Sequence, residues 1–507
     1  MSEVGRVYLV GAGPGDPGLI TLKGIRCLER AQVVLHDALS SPALLRYVPA
    51  GCEIVDVGKR AGMQMRQQDE TNALMVSRAK EGLTVVRLKG GDPYVFGRGG
   101  EEAQHLSAAG VPFEMVPGVS SLTAAPAYAG IPITHRGLSS EVTVVTGHSR
   151  SVQPDGGGVD WDALARANTT LVVLMGVSNR RKIADRLMAG GRSADTPVAA
   201  VRWGTTSRQK SIRTTLSRLG ESPIESPSVI VIGEVAALDL GWFEALPLFG
   251  RSIAITRAPE RAEGMADLLL DLGAEVCEIP TIQLAEPEDW GDVDRAIRDI
   301  ASFDWVVFTS ANGAKRFFAR LVGLGLDVRE LKGIKIACIG PATAEAVAAN
   351  CLKVDLVPAR RDAEGLAESF GTVEGIEDLH FLLPKPEVAR ETLPNFLRES
   401  GATVTEAICY RTVTADSLPP GARDCLKPDS LDLVTFTSPS TVNGFAQLVG
   451  QESVEEIVKW LPAGCIGPTT TRAAKEVGFR VVAEPAPEQI SSGSLVEAIA
   501  AHFRSPL

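Results

Sequence analysis

The stretch from Val85 to Glu102, VVRLKGGDPYVFGRGGEE, decides the fold of the first half of this chain. An apolar run typical of a buried β-strand leads directly into a glycine-rich loop, in which the charged residues Lys89, Asp92 and Arg98 are interspersed. A turn needs one or two glycines for a positive φ angle, whereas this loop has glycine at positions 90, 91, 97, 99 and 100. That density predicts a backbone that lies against a bound ligand at the end of a strand.

A second glycine turn lies upstream, in VGAGPGDPGLITLKG from Val10 to Gly24, and the next strand ends at Asp37. A glycine turn between a strand and a helix is typical of dinucleotide-binding sites, but Asp16 stands where that fingerprint has its third glycine. A carboxylate at this helix N-terminus would repel a pyrophosphate, so the pattern favours a zwitterionic or cationic cofactor. The alternative is structural, with Asp16 capping a tight turn.

Strand-like runs such as VYLVGAG, TVVRLKGG, TLVVLMG and PSVIVIGEV alternate with amphipathic stretches such as LITLKGIRCLERA, which predicts the α/β fold class. At 507 residues the chain is too long for a single core. The segment LGWFEALPLFG has no clear periodicity and a new strand, SIAIT, follows it, so we expect the main boundary near Pro247. We expect one unit over residues 1–246, with lobes of about 1–150 and 151–246 that meet near the PDGGG loop, and a second unit over 250–507.

The second half repeats itself. FDWVVFTSANGAKRFFARL from Phe303 matches LDLVTFTSPSTVNGFAQLV from Leu431, which places Thr309 on Thr437, 128 positions further on. IACIGPATAEAVAA matches GCIGPTTTRAAKEV at an offset of 127, and the glycines of LLDLGAEVCEI and FLRESGATVTEAI are again 128 apart. Because nearly the same offset relates all three pairs of motifs, we predict two similar α/β lobes, the central one at about 286–411. We expect a ligand site in the cleft between these lobes.

Charge is distributed unevenly. Up to Phe249 there are 26 Lys and Arg against 24 Asp and Glu, and beyond it 25 against 38, so the net charges are +2 and −13. This balance offers no basic surface for nucleic acid or an anionic membrane, and no apolar run approaches the roughly 20 residues that cross a bilayer. The eight cysteines form no CxxC pair and the six histidines form no cluster with ligand spacing. We therefore expect reduced thiols, no metal site and, since the N-terminus is not signal-like, a cytoplasmic protein.

Taken together, the blocks of the first half resemble the uroporphyrinogen-III C-methyltransferases of the tetrapyrrole methylase class over residues 5–240. The matching blocks include both glycine motifs, VGKRAG at Val57, VPGVSSLTAAPAYAGIPITHR at Val116, LVVLMG at Leu171 and GTTSRQK at Gly204. The resemblance implies a two-lobed α/β fold with S-adenosylmethionine between the lobes, and a homodimer formed through this half. It implies cofactor contacts from Pro14, Gly90, Gly91, Asp92, Val95, Ser120, Ser121, Met175 and Gly204. In chemical terms Asp92 suits the ammonium of the methionine moiety, and the serine hydroxyls suit its carboxylate.

Methyl transfer to a pyrrole carbon needs an aligned, electron-rich ring and later removal of a ring proton. The resemblance implies Asp37 as proton acceptor and Lys59 as proton donor. Judged without the family, Asp37 could equally cap a turn, Lys59 could lie in solvent or pair with a carboxylate, and Met175 is more typical of a core position. Guanidinium groups suit the substrate's carboxylates, and the candidates are Arg60, Arg66, Arg87 and Arg98.

In the second half, four strand ends place Ser, Thr, Gly or Pro just before a helix: FTSANG at Phe308, IGPATAE at Ile339, FTSPST at Phe436 and IGPTTTR at Ile466. Helix N-termini bind anions, and several of them facing one cleft would hold a polycarboxylate, although each turn alone is more typical of a plain N-cap. With ITRAPE at Ile255 and ICYRTV at Ile408, these motifs resemble the uroporphyrinogen-III synthases over residues 251–507. The resemblance implies that Tyr410 donates a proton to the leaving hydroxyl of hydroxymethylbilane and that Ser310, Thr469 and Thr470 bind substrate. The alternative for Tyr410 is a half-buried aromatic between the lobes.

The sequence therefore predicts a bifunctional enzyme of tetrapyrrole biosynthesis, which cyclises hydroxymethylbilane to uroporphyrinogen III and methylates that product at C2 and C7 to precorrin-2. Three alternatives stay open: an NAD-dependent oxidoreductase, which Asp16 disfavours; a methylase of a later step in corrin synthesis, which the attached synthase disfavours; and a second half that only binds and delivers substrate. Once both halves are assigned, no segment resembling a dehydrogenase or ferrochelatase remains. Whether the product leads to siroheme or cobalamin is therefore open.

Overall fold

The computed structural model describes residues 4–49, 51–58, 68–148, 158–167, 169–418 and 422–504. The chain forms two compact units: Met1–Ser252, Leu268–Val276 and Phe503–Leu507 make the first, and Ile253–Asp267 and Cys277–His502 make the second. The segment around Pro247 belongs to the first unit, where Phe243 and Leu248 are buried. This segment is packed against its own unit, which its lack of periodicity did not indicate.

A parallel sheet organises the start of the first unit. Its strands are β1 (Val7–Gly11), β2 (Val33–His36), β3 (Glu53–Asp56), β4 (Val85–Lys89) and β5 (Phe113–Val116). They lie in the order β3-β2-β4-β1-β5, and every pair is parallel. Its helices are α1 (Leu22–Leu28), α2 (Gln68–Lys80), α3 (Gly99–Ala108) and α4 (Ser121–Tyr128), with short 3-10 helices at Pro17–Leu19 and Pro42–Tyr47. Strands covered on both faces are normally apolar throughout, yet β4 buries Arg87 and Lys89.

The second sheet of this unit is mixed. Its strands are β6 (Val142–Thr146), β7 (Thr170–Leu174), β8 (Pro197–Arg202), β9 (Lys210–Thr215) and β10 (Ser228–Ile232), in the order β6-β7-β10-β8-β9. Only β6 and β7 are parallel, and the other pairs are antiparallel. The helices are α5 (Trp161–Ala167) and α6 (Arg180–Ala189), with 3-10 helices at Val177–Asn179, Leu216–Arg218 and Glu234–Ala237.

The second half of the chain contains two further five-stranded sheets, so the predicted architecture of two lobes in each half is confirmed. The outer sheet, in the order β12-β11-β18-β19-β20, consists of β11 (Ser252–Ile255), β12 (Glu275–Glu278), β18 (Leu433–Phe436), β19 (Ala463–Cys465) and β20 (Val481–Ala483). The central sheet, in the order β13-β17-β16-β14-β15, consists of β13 (Ile282–Ala285), β14 (Trp305–Phe308), β15 (Lys335–Cys338), β16 (His380–Pro386) and β17 (Thr403–Thr414).

Helices flank both of these sheets. They are α7 (Pro259–Asp271), α8 (Gly291–Arg298), α9 (Ala311–Gly323), α10 (Pro341–Ala348), α11 (Ala363–Phe370), α12 (Thr392–Glu399), α13 (Ala422–Cys425), α14 (Pro439–Val449), α15 (Gln451–Trp460), α16 (Pro468–Val477) and α17 (Ser492–Arg504). Short 3-10 helices lie at Ile300–Ser302, Val328–Leu331 and Ile376–Asp378. None of the helices in the described ranges is long and apolar enough to cross a membrane.

The sequence repeat has a direct structural counterpart. In the central sheet β16, β14 and β15 are consecutive neighbours, and in the outer sheet β11, β18 and β19 are consecutive neighbours, so β14 corresponds to β18 and β15 to β19. Gly273 and Gly401, which the repeat aligns, precede β12 and β17. The chain order differs, because the outer sheet takes β11 and β12 from before the central sheet and β18 to β20 from after it. The central lobe is therefore inserted into the outer one.

Two cysteines of the second unit depart from the expectation of reduced thiols. Cys277 and Cys425, 148 positions apart, form a disulfide. Sequence spacing could not indicate this pair because their proximity depends on the tertiary fold. Cys338, Cys409 and Cys465 are free and buried, and burial raises the pKa of each thiol to about 12.

Candidate active sites

The carboxyl ends of β4, β1 and β5 lie at one edge of the first sheet, because these three strands are parallel neighbours. The loops that follow β1 and β4 pair through their backbones. Gly13 N donates to Gly91 O at 3.3 Å, and Gly91 N donates to Gly13 O at 2.7 Å. A Cβ on Gly118 would lie 2.3 Å from Gly91 O and 2.7 Å from Gly11 Cα, so no side chain fits there. The result is a tightly packed edge that offers backbone groups to a ligand.

Within the 90–100 loop, two glycines serve the fold of the loop itself. A Cβ on Gly99 would lie 2.5 Å from the Pro93 oxygen, and a Cβ on Gly97 would lie 2.8 Å from the same atom. At Gly97 and Gly99 the packing of the loop therefore accounts for the glycine, and a ligand contact there stays a prediction. Gly90 touches the loop after β2, since its Cβ would lie 3.2 Å from Leu39 Cβ.

Asp92 holds this edge in place. Its Oδ1 accepts a hydrogen bond from Tyr94 N at 2.8 Å, and its Oδ2 accepts one from Gly118 N at 3.1 Å. The carboxylate predicted to pair with a cofactor ammonium thus already binds two backbone amides, and its first role is to position the loop. Ser120 caps α4 by accepting a hydrogen bond from the first turn of that helix at 3.4 Å, and Ser121 is the first residue of the helix.

Met175 and Gly204, the predicted cofactor contacts from the second sheet, follow β7 and β8. Met175 is 51% exposed and has a φ of +55°, so the core position that its residue type favours is excluded. A residue with a side chain adopts this φ at an energetic cost, which indicates a function. Gly204 packs on α4, because a Cβ there would lie 2.3 Å from Ala125 Cβ.

The loop after β1 meets the loop after β8 within the first unit. Asp16 N donates to Thr205 Oγ1 at 3.0 Å, and a Cβ on Gly15 would lie 3.4 Å from the Gly204 oxygen. The structure thus brings the half-buried turn of Pro14 next to Gly204, as a shared cofactor site requires.

The carboxylate of Asp16 is used structurally. Oδ1 accepts from Gly18 N at 2.7 Å, which confirms that Asp16 caps the turn, and Oδ2 accepts from Tyr128 OH at 2.6 Å. Burial and the Asp16 carboxylate raise the pKa of Tyr128 well above its usual value, so this hydroxyl stays protonated. Asp16 therefore both closes its own turn and ties it to α4.

Backbone strain is concentrated around these loops. Among the described residues, seven other than glycine have a positive φ, and the five of them in the first unit are Phe96, Arg98, Met175, Trp203 and Thr205. All five follow the carboxyl ends of β4, β7 or β8. Strained residues cluster where function requires them, so this distribution supports a site formed by these loops.

Asp37 follows β2 directly and forms an ion pair with Arg87. Arg87 is 4% exposed, and it also donates to Glu102 Oε1 at 3.1 Å and to the backbone oxygens of Leu35 and Leu88 at 3.3 Å each. The structure corrects the prediction that Arg87 binds substrate carboxylates, because its guanidinium is buried and already bonded. The side chain of Asp37 is 31% exposed and is accessible to substrate.

The other charged candidates divide into two groups. Lys59, Arg60 and Arg66 lie outside the described residues. Arg98 is described: its side chain is 52% exposed and forms a two-point ion pair with Glu101, with Nη2 to Oε2 at 2.7 Å and Nε to Oε1 at 3.0 Å. Arg98 can therefore reach a ligand at the end of the glycine loop.

In the second unit the structure brings two predicted residues together. Ser310 Oγ and Tyr410 OH are 3.0 Å apart, and Ser310 also caps α9 by accepting from Gly313 N at 3.0 Å. Tyr410 is 4% exposed on β17, so it is more deeply buried than a half-buried aromatic.

Thr469 and Thr470 lie in the other lobe, in the first turn of α16. Thr469 is exposed and Thr470 is 3% exposed. No side chain caps α16, whose N-cap is Gly467. This helix N-terminus therefore keeps backbone amides that can donate hydrogen bonds to a carboxylate.

Sequence reasoning missed two polar residues. Glu102 is fully buried and binds Arg87 and Lys89, and Thr205 joins the two lobes. The second glutamate of GRGGEE and the first threonine of GTTS carried no individual signal, because their partners are distant in sequence. Among the residues that the structure covers, no group of His, Cys, Asp and Glu could hold a metal ion.

The fold and the two sites define a two-part α/β enzyme. Residues 6–220 match the family described as tetrapyrrole (corrin/porphyrin) methylases, and residues 263–497 match uroporphyrinogen-III synthase HemD. The chain belongs to a family in which these two parts are fused, and it combines a C-methyltransferase with a synthase.

Similar proteins cover both parts. The porphyrin biosynthesis protein HemD of Ruminiclostridium josui is 37% identical over 495 residues, which are 95% of this chain and 96% of the relative. The uroporphyrinogen-III C-methyltransferase of Bacillus subtilis is 42% identical over 332 residues, 64% of this chain and 68% of the relative. A uroporphyrin-III C-methyltransferase of Thermus thermophilus, solved in complex with S-adenyl homocysteine, is 44% identical, covers 46% of this chain and 98% of its own, and has a TM-score of 0.40.

Proposed function

We propose that the second half closes hydroxymethylbilane to uroporphyrinogen III and that the first half methylates this product at C2 and C7 to give precorrin-2. The observation that carries the proposal is the position of Asp37, which is accessible at the edge of the first sheet and is held there by the buried Arg87. The loop of Asp37 adjoins the glycine loop through Leu39 and Gly90. An accessible carboxylate thus lies beside a backbone-lined edge, which supports Asp37 as the proposed proton acceptor.

S-adenosylmethionine is the proposed methyl donor, and when bound it supplies an electrophilic methyl carbon. The described residues fit such a group. The Asp16 carboxylate occupies the turn where a dinucleotide would need a free helix N-terminus, which disfavours a pyrophosphate and suits a cofactor without phosphate. Exposed Met175 and the backbone at Gly13, Gly91 and Gly204 would hold an extended moiety that carries no phosphate.

The proton transfers fall to side chains at this edge. Asp37 Oδ1 is paired with Arg87, whereas Oδ2 has no hydrogen-bond partner among the described residues and is free to accept a ring proton. We propose Lys59 as the proton donor. Arg98, together with Arg60 and Arg66, is proposed to bind the substrate's carboxylates through bidentate contacts.

In the second half, Tyr410 is proposed to donate its hydroxyl proton to the leaving hydroxyl of the bilane. Ser310 fixes the phenol, since its Oγ is anchored to the amide of Gly313 and lies 3.0 Å from Tyr410 OH. Loss of water leaves a reactive cation, so the shape of the cleft governs which ring carbon attacks. The amides at the start of α16, with Thr469 and Thr470, are proposed to bind carboxylates from the other lobe.

Three further features belong to this proposal. The methyltransferase corresponds to residues 1–246 and the synthase to 250–507. The protein is a homodimer formed through the first half, and it acts in the cytoplasm.

Anaerobic incubation of the full chain with hydroxymethylbilane, with and without S-adenosylmethionine, tests both activities. Products are read by mass and by isomer-resolving chromatography. Isomer III that gains two methyl groups only when the cofactor is present is the expected result. Formation of isomer I, the product of spontaneous closure, would show that the second half is only a binding module. Unmethylated isomer III would contradict the first half of the proposal and would favour a methylase of a later step.

A further inference from the structure

We infer that Glu102 and Arg87 are positioning residues for methyl transfer, and that they act by fixing the carboxylate of Asp37. The inference rests on the proposed methyltransferase function and adds two residues to it. Neither residue is accessible to substrate: Glu102 is fully buried and Arg87 is 4% exposed. Their effect must therefore pass through another group.

A chain of contacts runs from Glu102 through Arg87 to Asp37. Glu102 on α3 accepts from Arg87 Nε at 3.1 Å, and Arg87 Nη2 pairs with Asp37 Oδ1. Both Nη1 contacts, to Leu35 O and Leu88 O, are with the backbone of β2 and β4. Three contacts, with Glu102 and the two backbone oxygens, thus hold the guanidinium in place, and its Nη2 is left to bind Asp37.

Glu102 makes further contacts besides the one with Arg87. Its Oε1 also accepts from Lys89 Nζ at 3.1 Å and from Gln68 Nε2 at 3.0 Å, so one oxygen joins α2, β4 and α3. Its Oε2 is buried without a partner among the residues that the structure describes. Burial and the neighbouring Arg87 lower the pKa of Lys89, whereas Glu102 opposes both effects. Neutralising Glu102 would therefore lower the pKa of Lys89 further and weaken the contact that holds Arg87 Nε.

The placement of this network favours function over stability. A buried ion network generally adds less stability than apolar side chains of the same size, so its retention calls for another role. Here Glu102 is buried in the core, and the other end of the network is the partly exposed carboxylate of Asp37. Arg87 fixes Oδ1, and among the described residues Oδ2 has no hydrogen-bond partner, so one carboxylate oxygen is held and the other is left for proton acceptance.

A double-mutant cycle on the full chain tests the inference. The variants are Asp37→Asn, Glu102→Gln and the pair together, assayed for methyl transfer from S-adenosylmethionine to uroporphyrinogen III. We expect Asp37→Asn to lower kcat about 100-fold or more and Glu102→Gln to lower it about tenfold, with KM for both substrates within about threefold of wild type. The double variant should be no slower than Asp37→Asn alone, because Glu102 acts only through Asp37.

Controls separate positioning from folding. Glu81→Gln makes the same substitution at a surface ion pair with Arg78 and should leave kcat unchanged. Closure of hydroxymethylbilane by the same protein samples reports on the second unit. Should Glu102→Gln unfold the first unit, Arg87→Lys keeps the charge but loses the contacts to Asp37, and it should show the same loss of kcat without a change in the affinity for S-adenosylhomocysteine, measured by calorimetry.

The outcomes are distinguishable. Multiplicative effects in the double variant, or wild-type kcat in both Glu102→Gln and Arg87→Lys, would overturn the inference while leaving the proposed function intact. Wild-type activity in Asp37→Asn would overturn the role of Asp37 and the inference with it. No methyl transfer by the wild-type protein would contradict the proposed function itself.

Discussion

Replacing Gly118 by alanine tests whether the ligand edge of the first sheet depends on backbone contact. The added Cβ would lie 2.3 Å from Gly91 O and 2.7 Å from Gly11 Cα, and neither atom belongs to a flexible side chain. The Gly91 carbonyl would have to move by about 1 Å to reach an ordinary contact distance, which breaks its 3.3 Å hydrogen bond from Gly13 N.

The cost follows from these two effects. Overpacking costs about 1–3 kcal/mol and the lost hydrogen bond about 1 kcal/mol, so we expect a loss of about 2–4 kcal/mol in the free energy of unfolding of the first unit. For a unit of this size the loss corresponds to a fall in Tm of about 5–15 °C. The affinity for S-adenosylhomocysteine should fall at least about tenfold, because the displaced Gly91 carbonyl forms part of the proposed site.

Gly100→Ala is the matched control. Gly100 lies in the first turn of α3, and a Cβ there would have nothing within 4 Å. Since alanine is the better helix former, we expect a gain of about 0.5–1 kcal/mol and unchanged affinity. Scanning calorimetry and isothermal titration of the full chain measure both quantities, with bilane closure as the internal control. A Gly118→Ala protein with wild-type Tm and affinity would refute the packing argument, and equal loss of affinity in Gly100→Ala would show that the loop needs its glycines for the ligand itself.

Three further predictions concern single polar groups. Asp37→Asn should lower methyl transfer about 100-fold or more while S-adenosylhomocysteine still binds, which radiolabelled methyl incorporation and calorimetry would measure; wild-type incorporation would contradict a proton-acceptor role. Tyr410→Phe removes one hydroxyl and keeps the buried ring, so we expect bilane closure to isomer III to fall about 100-fold or more with a stability loss of about 1 kcal/mol, and Ser310→Ala should show a smaller loss of rate; full activity in Tyr410→Phe would exclude it as the acid. Tyr128→Phe loses the 2.6 Å hydrogen bond to Asp16, worth about 1.5–3 kcal/mol. Because the pKa of Tyr128 is raised on folding, this contribution is complete below the unfolded pKa of about 10 and declines as pH rises above it, so the Tm values of variant and wild type should converge at high pH, and a gap that stays constant would contradict the assignment.

The sequence indicated the strand ends better than it indicated the partners of the residues near them. Strand ends followed by glycine or serine are readable locally, and both Gly91 and Ser310 lie at such ends in the structure. Arg87 shows the limit of this reasoning, because a single arginine in an apolar run looks the same whether it faces substrate or pairs with a buried carboxylate. Its partner Glu102 lies 15 positions away on a helix, and only packing of α3 against β4 brings them together.

Met175 shows the same limit for a residue whose type favours the core and which the structure exposes. A methionine after an apolar strand is most simply a core residue, and only its exposure and positive φ reveal otherwise. The disulfide between Cys277 and Cys425 likewise depends on the tertiary fold, because the two cysteines are 148 positions apart.

The sequence by itself determined the α/β class, the division into two halves and the repeat in the second half, because strand and helix periodicity and repeated motifs are local properties. Only the tertiary structure decided that the central lobe is inserted between β12 and β18, that Asp16 binds Tyr128, and that Asp37 is held by a buried ion network. The physical reason is the range of the interactions. Strand neighbours, ion pairs and close glycine contacts form between residues that are distant along the chain, and each residue type is compatible with several partners until the fold selects one.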